Sequence, residues 1–250
     1  MRIHRHKLLR MQGEQAEVTI DTADGPMTAF VSAPADGTAR PAVLLLMEAF
    51  GLTAHIRDVA LRIAREGYVV LAPDLYHREP GQRTFSYDEV DEAMQAMYRL
   101  DLAGGLERDL RAALAALAAR PDVRAERIGV TGFCLGGGVT FFCAVALSDL
   151  VAAAAGFYGM VPNEWLEKVD AIDVPLLLFF GGLDPFIPLG RVAQIKARLA
   201  EAGKDARIEL YPEADHGFFC DERDSYDAPA AEDAWRKLTA FFRAHLVDAR

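Results

Sequence analysis

Short runs of apolar residues alternate with longer helical patterns along this chain, and this alternation constrains its fold more than any other feature. Runs rich in Val, Ile and Leu predict strands, while apolar residues spaced three to four positions apart, or a high Ala content, predict helices. The alternation indicates a parallel sheet connected by crossover helices, and therefore the α/β class. The predicted strands of this part are 42–47, 68–72, 127–131, 152–158, 175–180 and 207–211, and the predicted helices are 56–66, 103–119, 137–147, 191–202 and 231–246.

The beginning of the chain has a different pattern. Residues 17–20 and 27–32 have strand-like composition, and the turn residues Asp24, Gly25 and Pro26 separate them, which predicts an antiparallel hairpin. This gives eight strands in all, with helices on both faces of a mainly parallel sheet. We expect one domain over residues 1–250, with residues 1–16 as an N-terminal extension. The polar stretch 77–87 has no strand pattern, so we expect a surface loop near the functional site.

Composition excludes several classes of function. The chain has 27 Lys and Arg against 37 Asp and Glu, a net charge of −10, which argues against a nucleic-acid partner. Its apolar runs are shorter than the roughly 18 residues that a membrane span requires. The first residues are basic but no apolar stretch follows them, and three cysteines do not indicate a disulfide framework. We therefore expect a cytoplasmic protein, and because no interface stripe is evident, a monomer.

The segment 128–138 carries the most specific chemical pattern in the sequence. A predicted strand runs into Gly132-Phe133-Cys134-Leu135-Gly136, and a predicted helix follows. This is the pattern of a nucleophile elbow, a tight strand-to-helix turn, with Cys in place of Ser. The positive end of the helix favours a thiolate at Cys134. The alternative, a buried structural thiol, fits an isolated cysteine, and we expect it of Cys143 inside the helix. For Cys134, the flanking glycines favour the role of nucleophile over that of a structural thiol.

A cysteine nucleophile requires a base and a group that orients the base, and in this fold the chain order is nucleophile, acid, histidine. Two histidines lie downstream of Cys134. His216 directly follows a predicted strand, whereas His245 lies in the last predicted helix, where a solvated or packing role is expected. Asp184 follows another strand, at the sheet edge where open α/β sheets carry their sites. Asp215 is the alternative acid, but adjacent side chains point apart, so we expect it to serve the turn.

The loop after the strand 42–47 contributes two further candidates. The backbone N–H groups of Leu135 and Ala49 are the expected donors of an oxyanion hole, because one follows the nucleophile and the other lies in the loop after an early strand. Glu48 precedes Ala49. It is either an exposed turn residue or a carboxylate that accepts the proton of the thiol.

These residues lie in stretches that, together, resemble the dienelactone hydrolase family of α/β hydrolases. The resemblance implies an α/β-hydrolase fold and the hydrolysis of a small unsaturated lactone, carboxymethylenebutenolide, in the degradation of aromatic compounds. It implies no metal and no organic cofactor, and a small-molecule ester or lactone as the partner. The matching stretches are MEAFGL (47–52), GYVVLAPDLYHR (67–78), GVTGFCLGGG (129–138), AAGFYG (154–159), FFGGLDPFIP (179–188) and YPEADHGF (211–218).

The resemblance also implies roles for single residues. Cys134 becomes the nucleophile, His216 the base and then the acid, and Asp184 its orienting carboxylate. Glu48 matches a family carboxylate that pairs with the resting thiol and takes its proton when substrate binds. The family places an aromatic pocket wall at the position of Tyr158, although a core Tyr is equally compatible with the sequence. We also expect three further residues in the substrate pocket: Phe50, Arg78 and Phe218.

Two departures from the family pattern concern the substrate. The family binds the carboxylate of its lactone with arginines, but Cys220 occupies the position of one, and the segment 88–97, aligned with the other, contains no Arg. A thiol cannot replace a bidentate guanidinium. Three other arginines are either replacements or exposed loop charges: Arg78, Arg83 and Arg223. Two alternatives follow, namely an esterase or thioesterase for neutral acyl substrates, and a non-catalytic thiol sensor with the same fold.

Overall fold

A computed structural model of the chain describes residues 6–7, 14–102 and 104–248. The chain divides into two compact units, an N-terminal unit of residues 1–128 and a C-terminal unit of residues 129–250. Most of the expected extension 1–16 lies outside the described residues. The expectation of one domain over residues 1–250 stays a prediction.

The N-terminal unit contains the predicted antiparallel hairpin. Its strands lie in the order β1-β2-β3-β5-β4, and β2 and β3 pair antiparallel through the turn between Thr22 and Gly25. Strand β3 pairs antiparallel with β5, and β5 pairs parallel with β4. The hairpin prediction is therefore confirmed, and β1 is a strand that the sequence pattern did not predict. The strands are β1 (His6–Lys7), β2 (Glu14–Thr22), β3 (Gly25–Ala33), β4 (Arg40–Leu46) and β5 (Val69–Pro73).

Three helices belong to this unit: α1 (Ala54–Arg65), α2 (Val90–Tyr98) and α3 (Gly105–Ala118). Helix α1 begins where the Thr53 side chain accepts a hydrogen bond from the backbone of Ile56, and its buried face follows the predicted helical spacing. Helix α2 was not predicted. Residue 103, the predicted start of the second helix, lies outside the described residues. The segment 77–87 is a loop without a strand, as predicted, although the side chain of Phe85 is buried.

The C-terminal unit is built on parallel strands in the order β6-β7-β8-β9. These are β6 (Val123–Phe133), which contains the boundary between the units, β7 (Ala153–Phe157), β8 (Leu176–Gly181) and β9 (Ala206–Tyr211). The helices are α4 (Leu135–Ala146), α5 (Asn163–Leu166), α6 (Leu189–Glu201) and α7 (Ala228–Phe242). A 3-10 turn occupies Val169–Ala171, and α7 continues as a π-helical turn over Arg243–Val247.

The parallel register of these strands brings their carboxyl ends to one edge. Phe133, the last residue of β6, pairs with Phe157 of β7, which pairs with Phe179 of β8. The segments that follow the four strands therefore emerge together, and they carry Cys134, Tyr158, Asp184 and His216. In the described part of the chain, no helix has both the length and the apolar composition to cross a membrane.

Candidate active site

Cys134 occupies the sharp turn between β6 and α4. Its backbone φ is 54° and its ψ is −113°, a conformation that L-residues rarely adopt and that stores strain. The backbone N–H of Cys134 donates to the carbonyl of Phe157 over 3.1 Å, which fixes the turn against β7. The side chain is partly exposed. The backbone therefore forms the tight strand-to-helix turn that the sequence predicts at Cys134.

Close backbone packing at the start of α4 explains the glycines after the elbow. A β-carbon on Gly137 would lie 2.1 Å from the carbonyl oxygen of Phe157, and one on Gly159 would lie 2.1 Å from the backbone nitrogen of Gly138. These distances are far below van der Waals contact. The segment after β7 can therefore approach the first turn of α4 only because both segments have a glycine, without a side chain, at these points.

His216 and Asp184 form a buried pair. The Nδ1 atom of His216 lies 2.8 Å from Oδ2 of Asp184. The other carboxylate oxygen of Asp184 accepts backbone hydrogen bonds from Phe186 (2.8 Å) and Ile187 (3.1 Å), so the loop after β8 holds the carboxylate in place. Asp215 instead accepts a hydrogen bond from the backbone N–H of His216, the turn role that the sequence predicts for it.

His216 also hydrogen-bonds to the side chain of Cys134, and its surroundings perturb its protonation. Burial disfavours the charged imidazolium and lowers the pKa of His216. The hydrogen bonds to Asp184 and Cys134, together with their negative charges, outweigh burial and raise this pKa from 6.5 to about 10. At neutral pH the arrangement therefore favours a protonated His216.

Two aromatic rings contact the imidazole of His216. The ring of Tyr158 contacts it edge-on, with centroids 5.1 Å apart, and Phe218 packs behind Tyr158 at 5.3 Å. Both side chains are completely buried, so they support His216 from within the core. Tyr158 has a backbone φ of 35°, a second strained residue beside Cys134. The ring of Phe186 also contacts His216, with centroids 5.1 Å apart, and it is 56% exposed.

Four of the other predicted site residues belong to the N-terminal unit: Glu48, Ala49, Phe50 and Arg78. Glu48 is completely buried, and its Oε2 atom accepts a hydrogen bond from the hydroxyl of Tyr87 over 2.9 Å. The ring of Tyr87 contacts Phe50 edge-on at 4.8 Å. Ala49 is held by its carbonyl, which accepts from the hydroxyl of Tyr76 over 2.8 Å. The alternative in which Glu48 is an exposed turn residue is therefore wrong.

The contacts of Tyr87 with Glu48 and of Phe186 with His216 were not predicted from the sequence. Tyr87 is the last residue of the polar loop 77–87. The sequence feature that could have identified Tyr87 is its position as an aromatic residue at the end of a loop expected near the site. Phe186 follows Asp184 by two residues. The sequence feature that could have identified it is a large apolar side chain in a short loop directly after a candidate acid.

The three arginines considered as replacements differ in their surroundings. Arg78 donates to both carboxylate oxygens of Asp109 and to Asp24, so its guanidinium is engaged in ion pairs. Arg83 pairs with Asp74 at 3.0 Å. The guanidinium of Arg223 packs against Gly217, the residue after His216, at a distance that leaves no room for a β-carbon there.

The remaining two cysteines are both buried. Burial raises the pKa of the Cys143 thiol well above its usual range, which suits the expected core role. Cys220 lies in the turn after His216, where its backbone N–H donates to the carbonyl of Gly217. Within residues 14–102 and 104–248, no group of three or more His, Cys, Asp or Glu side chains is arranged to hold a metal ion.

Comparison with known proteins assigns the chain to a family. The model of the Dienelactone hydrolase family matches residues 27–246, most of the chain. The chain belongs to the dienelactone hydrolase family. A protein of Synechocystis sp. (strain ATCC 27184 / PCC 6803 / Kazusa) named “Putative carboxymethylenebutenolidase” is 36% identical over 238 residues, covering 92% of this chain and 96% of that relative. The resemblance inferred from the sequence motifs is therefore confirmed.

Two further relatives extend the comparison within the dienelactone hydrolase family. The crystal structure of a “Putative Dienelactone Hydrolase” from Klebsiella pneumoniae subsp. pneumoniae MGH 78578 matches with a TM-score of 0.84 and 32% identity, over 91% of this chain and 97% of the other. A Bradyrhizobium sp. protein named “Probable 2-oxo-3-(5-oxofuran-2-ylidene)propanoate lactonase” is 28% identical over 93% of this chain and 95% of its own length. The chain has the α/β-hydrolase fold and is a hydrolase of this family, which acts on esters or lactones.

Proposed function

We propose that this protein hydrolyses small esters or lactones through a covalent acyl-enzyme on Cys134. The observation that carries the proposal is the hydrogen-bonded chain in which Asp184 holds Nδ1 of His216 at 2.8 Å and His216 bonds to Cys134 on the elbow. A nucleophile, a base and a group that orients the base are the minimum set for such catalysis. Here all three lie at one edge of the parallel strands.

In the acylation step, the thiolate of Cys134 attacks the carbonyl carbon, and the carbonyl electrons move onto the oxygen. The resulting oxyanion needs hydrogen-bond donors. The backbone N–H of Leu135 is suited to this, because Leu135 is the first residue of α4, and the N–H groups of a first turn have no acceptor within the helix. The tetrahedral intermediate collapses to a thioester, and the imidazolium of His216 gives its proton to the leaving oxygen.

In the deacylation step, His216 takes a proton from water, and the water oxygen attacks the thioester carbonyl. Collapse of the second intermediate releases the carboxylic acid and restores the thiolate. The acyl-enzyme no longer carries a negative charge on Cys134, so one cause of the raised pKa of His216 is absent at this stage. The pKa of His216 then falls, and the neutral imidazole becomes available as the base.

The proposed roles of Ala49 and Glu48 depend on the family pattern. Ala49 would supply the second oxyanion donor. Glu48 would accept the thiol proton on substrate binding in molecules whose Cys134 is still a neutral thiol, and it has no such role where Cys134 is already a thiolate beside the imidazolium of His216. The burial of Glu48 and its hydrogen bond from Tyr87 support a specific role for this side chain, because burying a polar group is costly unless specific partners hold it. The monomeric state, the cytoplasmic location and the absence of a cofactor stay predictions.

Two substrate classes remain to be distinguished. Relatives are named for lactones, which favours a lactone that carries a carboxylate. The engagement of Arg78 with Asp109 and Asp24, and the cysteine at position 220, instead favour a neutral ester. Hydrolysis of a carboxylated dienelactone should therefore be followed beside that of a neutral aryl ester, with wild-type protein and Cys134→Ala in parallel.

The outcomes separate the candidate functions. Cys134-dependent loss of the dienelactone would support the lactonase. Cys134-dependent turnover of the aryl ester alone would support an esterase that acts on neutral substrates. Equal rates for wild type and Cys134→Ala would overturn the proposed mechanism, and absence of turnover in both would favour the thiol sensor.

A further inference from the structure

The loops around the candidate nucleophile expose large apolar side chains. In the C-terminal unit, Leu183 and Phe186 lie in the loop after β8 and are 59% and 56% exposed. Met160, in the segment after β7, is 58% exposed. Exposed apolar residues that cluster beside a candidate site point to a binding surface more than scattered ones do.

These two loops are connected to each other and to the site. The guanidinium of Arg191, in the first turn of α6, donates to the carbonyl of Val161 and to the side chain of Asn163. This links the start of α6, which directly follows the loop after β8, to the segment that carries Met160. The backbone N–H of Leu183 donates to the carbonyl of Ala214, which lies two residues before His216.

Phe186 has the most specific position of these residues. It contacts the His216 ring edge-on, with the ring planes 77° apart, and Tyr158 is the second aromatic ring in edge-on contact with this imidazole. Tyr158 is completely buried and Phe186 is more than half exposed, so the aromatic neighbour of His216 toward solvent is Phe186. A group that leaves the site past His216 therefore passes the ring of Phe186.

We infer that Phe186 determines specificity for the alcohol side of the substrate and favours an apolar, uncharged alcohol group. The inference rests on the proposed function, in which His216 protonates the leaving oxygen. That oxygen must lie within hydrogen-bond distance of the imidazole, and the carbon chain attached to it must then extend along the solvent side of the ring. There the chain would bury apolar surface against Phe186 and Leu183.

Isomeric esters test directly whether the apolar preference concerns the alcohol side or the acyl side of the substrate. Butyl acetate and ethyl butyrate contain the same atoms, as do hexyl acetate and ethyl hexanoate, so each pair differs only in which side carries the longer chain. We expect kcat/KM to rise along methyl, butyl and hexyl acetate by up to about fourfold per added methylene, the factor for full burial. The rise along methyl acetate, ethyl butyrate and ethyl hexanoate should be clearly smaller.

The variant Phe186→Ala should reduce the ratio of kcat/KM for hexyl acetate to that for methyl acetate at least tenfold, and Phe186→Leu should restore much of it. A merely structural role would lower both rates equally and leave the ratio unchanged. Val247→Ala, which truncates an exposed apolar residue in the π-helical turn after α7, is the control and should keep the wild-type ratio.

The result also separates this inference from the proposed function. Cys134-dependent hydrolysis with equal slopes for the two series, or a ratio that Phe186→Ala leaves unchanged, would overturn the inference and leave the proposed function in place. Absence of Cys134-dependent hydrolysis for every ester, alongside no hydrolysis of the dienelactone, would overturn the proposed function and the inference with it.

Discussion

The carboxylate of Asp184 and the imidazole of His216 are joined by a 2.8 Å contact between Oδ2 and Nδ1, and both residues are more than nine-tenths buried. This contact leaves Nε2 of His216 for the reacting groups, because Nδ1 is already engaged. The other oxygen of Asp184 is held by two backbone N–H groups of its own loop, so the orientation of the histidine is set by the backbone after β8.

The variant Asp184→Asn should therefore lose most of the activity. An amide at this position can present N–H to Nδ1 and stabilise the wrong tautomer, and it removes the charge that stabilises the imidazolium. We expect kcat to fall by up to about four orders of magnitude, the loss that the equivalent change causes in a Ser-His-Asp triad. The measurement is steady-state kinetics on the neutral aryl ester.

Asp215→Asn is the matched control for this prediction. The Asp215 carboxylate accepts from the backbone N–H of His216, and an amide oxygen can do the same. Its kcat should stay within about threefold of wild type, since no charge next to the imidazole ring is removed. A similar loss in both variants would mean that Asp184 has no special role.

The protonation of His216 should depend on Cys134. In the wild-type protein, its pKa is raised to about 10, in part by the hydrogen bond and negative charge of Cys134. Cys134→Ala removes both contributions while Asp184 remains, so the pKa should decrease, and the neutral imidazole should appear at a lower pH. NMR titration of the ring nitrogens measures this directly.

Cys143→Ala provides the control for the titration, because Cys143 is buried within α4 and is not among the groups that shift His216. The pKa of His216 should stay near the wild-type value in that variant. An equal pKa in wild type and Cys134→Ala would contradict the pairing of Cys134 with His216.

Close packing at Gly137 should make even a methyl group costly. Its β-carbon would meet the backbone carbonyl of Phe157, which cannot rotate away as a side chain can. We expect Gly137→Ala to lower the free energy of unfolding by about 2 kcal/mol or more, as overpacking does, and to reduce activity because the elbow shifts. Urea denaturation and kinetics on the same preparation test both effects.

Gly190→Ala should change the free energy of unfolding in the opposite direction and stabilise the protein. Gly190 lies in the first turn of α6, and a β-carbon there meets no atom within 4 Å. Alanine should raise the free energy of unfolding by up to about 1 kcal/mol through its higher helix propensity. If both glycine variants were destabilised alike, close packing at the elbow would not be the cause.

The hydroxyl of Tyr87 should stabilise the N-terminal unit through Glu48. Tyr87→Phe keeps the ring contact with Phe50 but removes a hydrogen bond to a buried carboxylate. We expect a loss of about 1 to 3 kcal/mol in the free energy of unfolding, the usual cost of depriving a buried polar group of a donor. Tyr98→Phe, which alters a residue that is 76% exposed, should change it by less than about 0.5 kcal/mol.

Sequence patterns predicted the strands and the larger helices well because burial dictates their composition. Strands β4 and β5 are buried along nearly their whole length and contain mainly apolar residues. Helix α2 was missed for the same reason. Its nine residues bury only Ala93 and Ala96, while Val90 and Tyr98 are exposed, so no apolar stripe marks it as a helix.

The candidate site was predictable where local chemistry defines a residue. The elbow at Cys134 follows from a strand, flanking glycines and a helix in immediate succession. The complete burial of Tyr158 and Phe218, the partners of Arg78 and the contact of Phe186 with His216 arise from tertiary packing between distant segments. Such contacts leave no pattern in a single sequence, which is why the pocket residues were less well defined than the proposed triad.

The most direct test of the central claim is intact-mass spectrometry of the protein after rapid mixing with a neutral aryl ester and acid quenching, followed by peptide mapping. The account predicts a transient mass increase equal to one acyl group, located on Cys134. It should be absent in Cys134→Ala and still present in Cys220→Ala. An acyl adduct on another residue, or turnover by Cys134→Ala at the wild-type rate, would contradict the account.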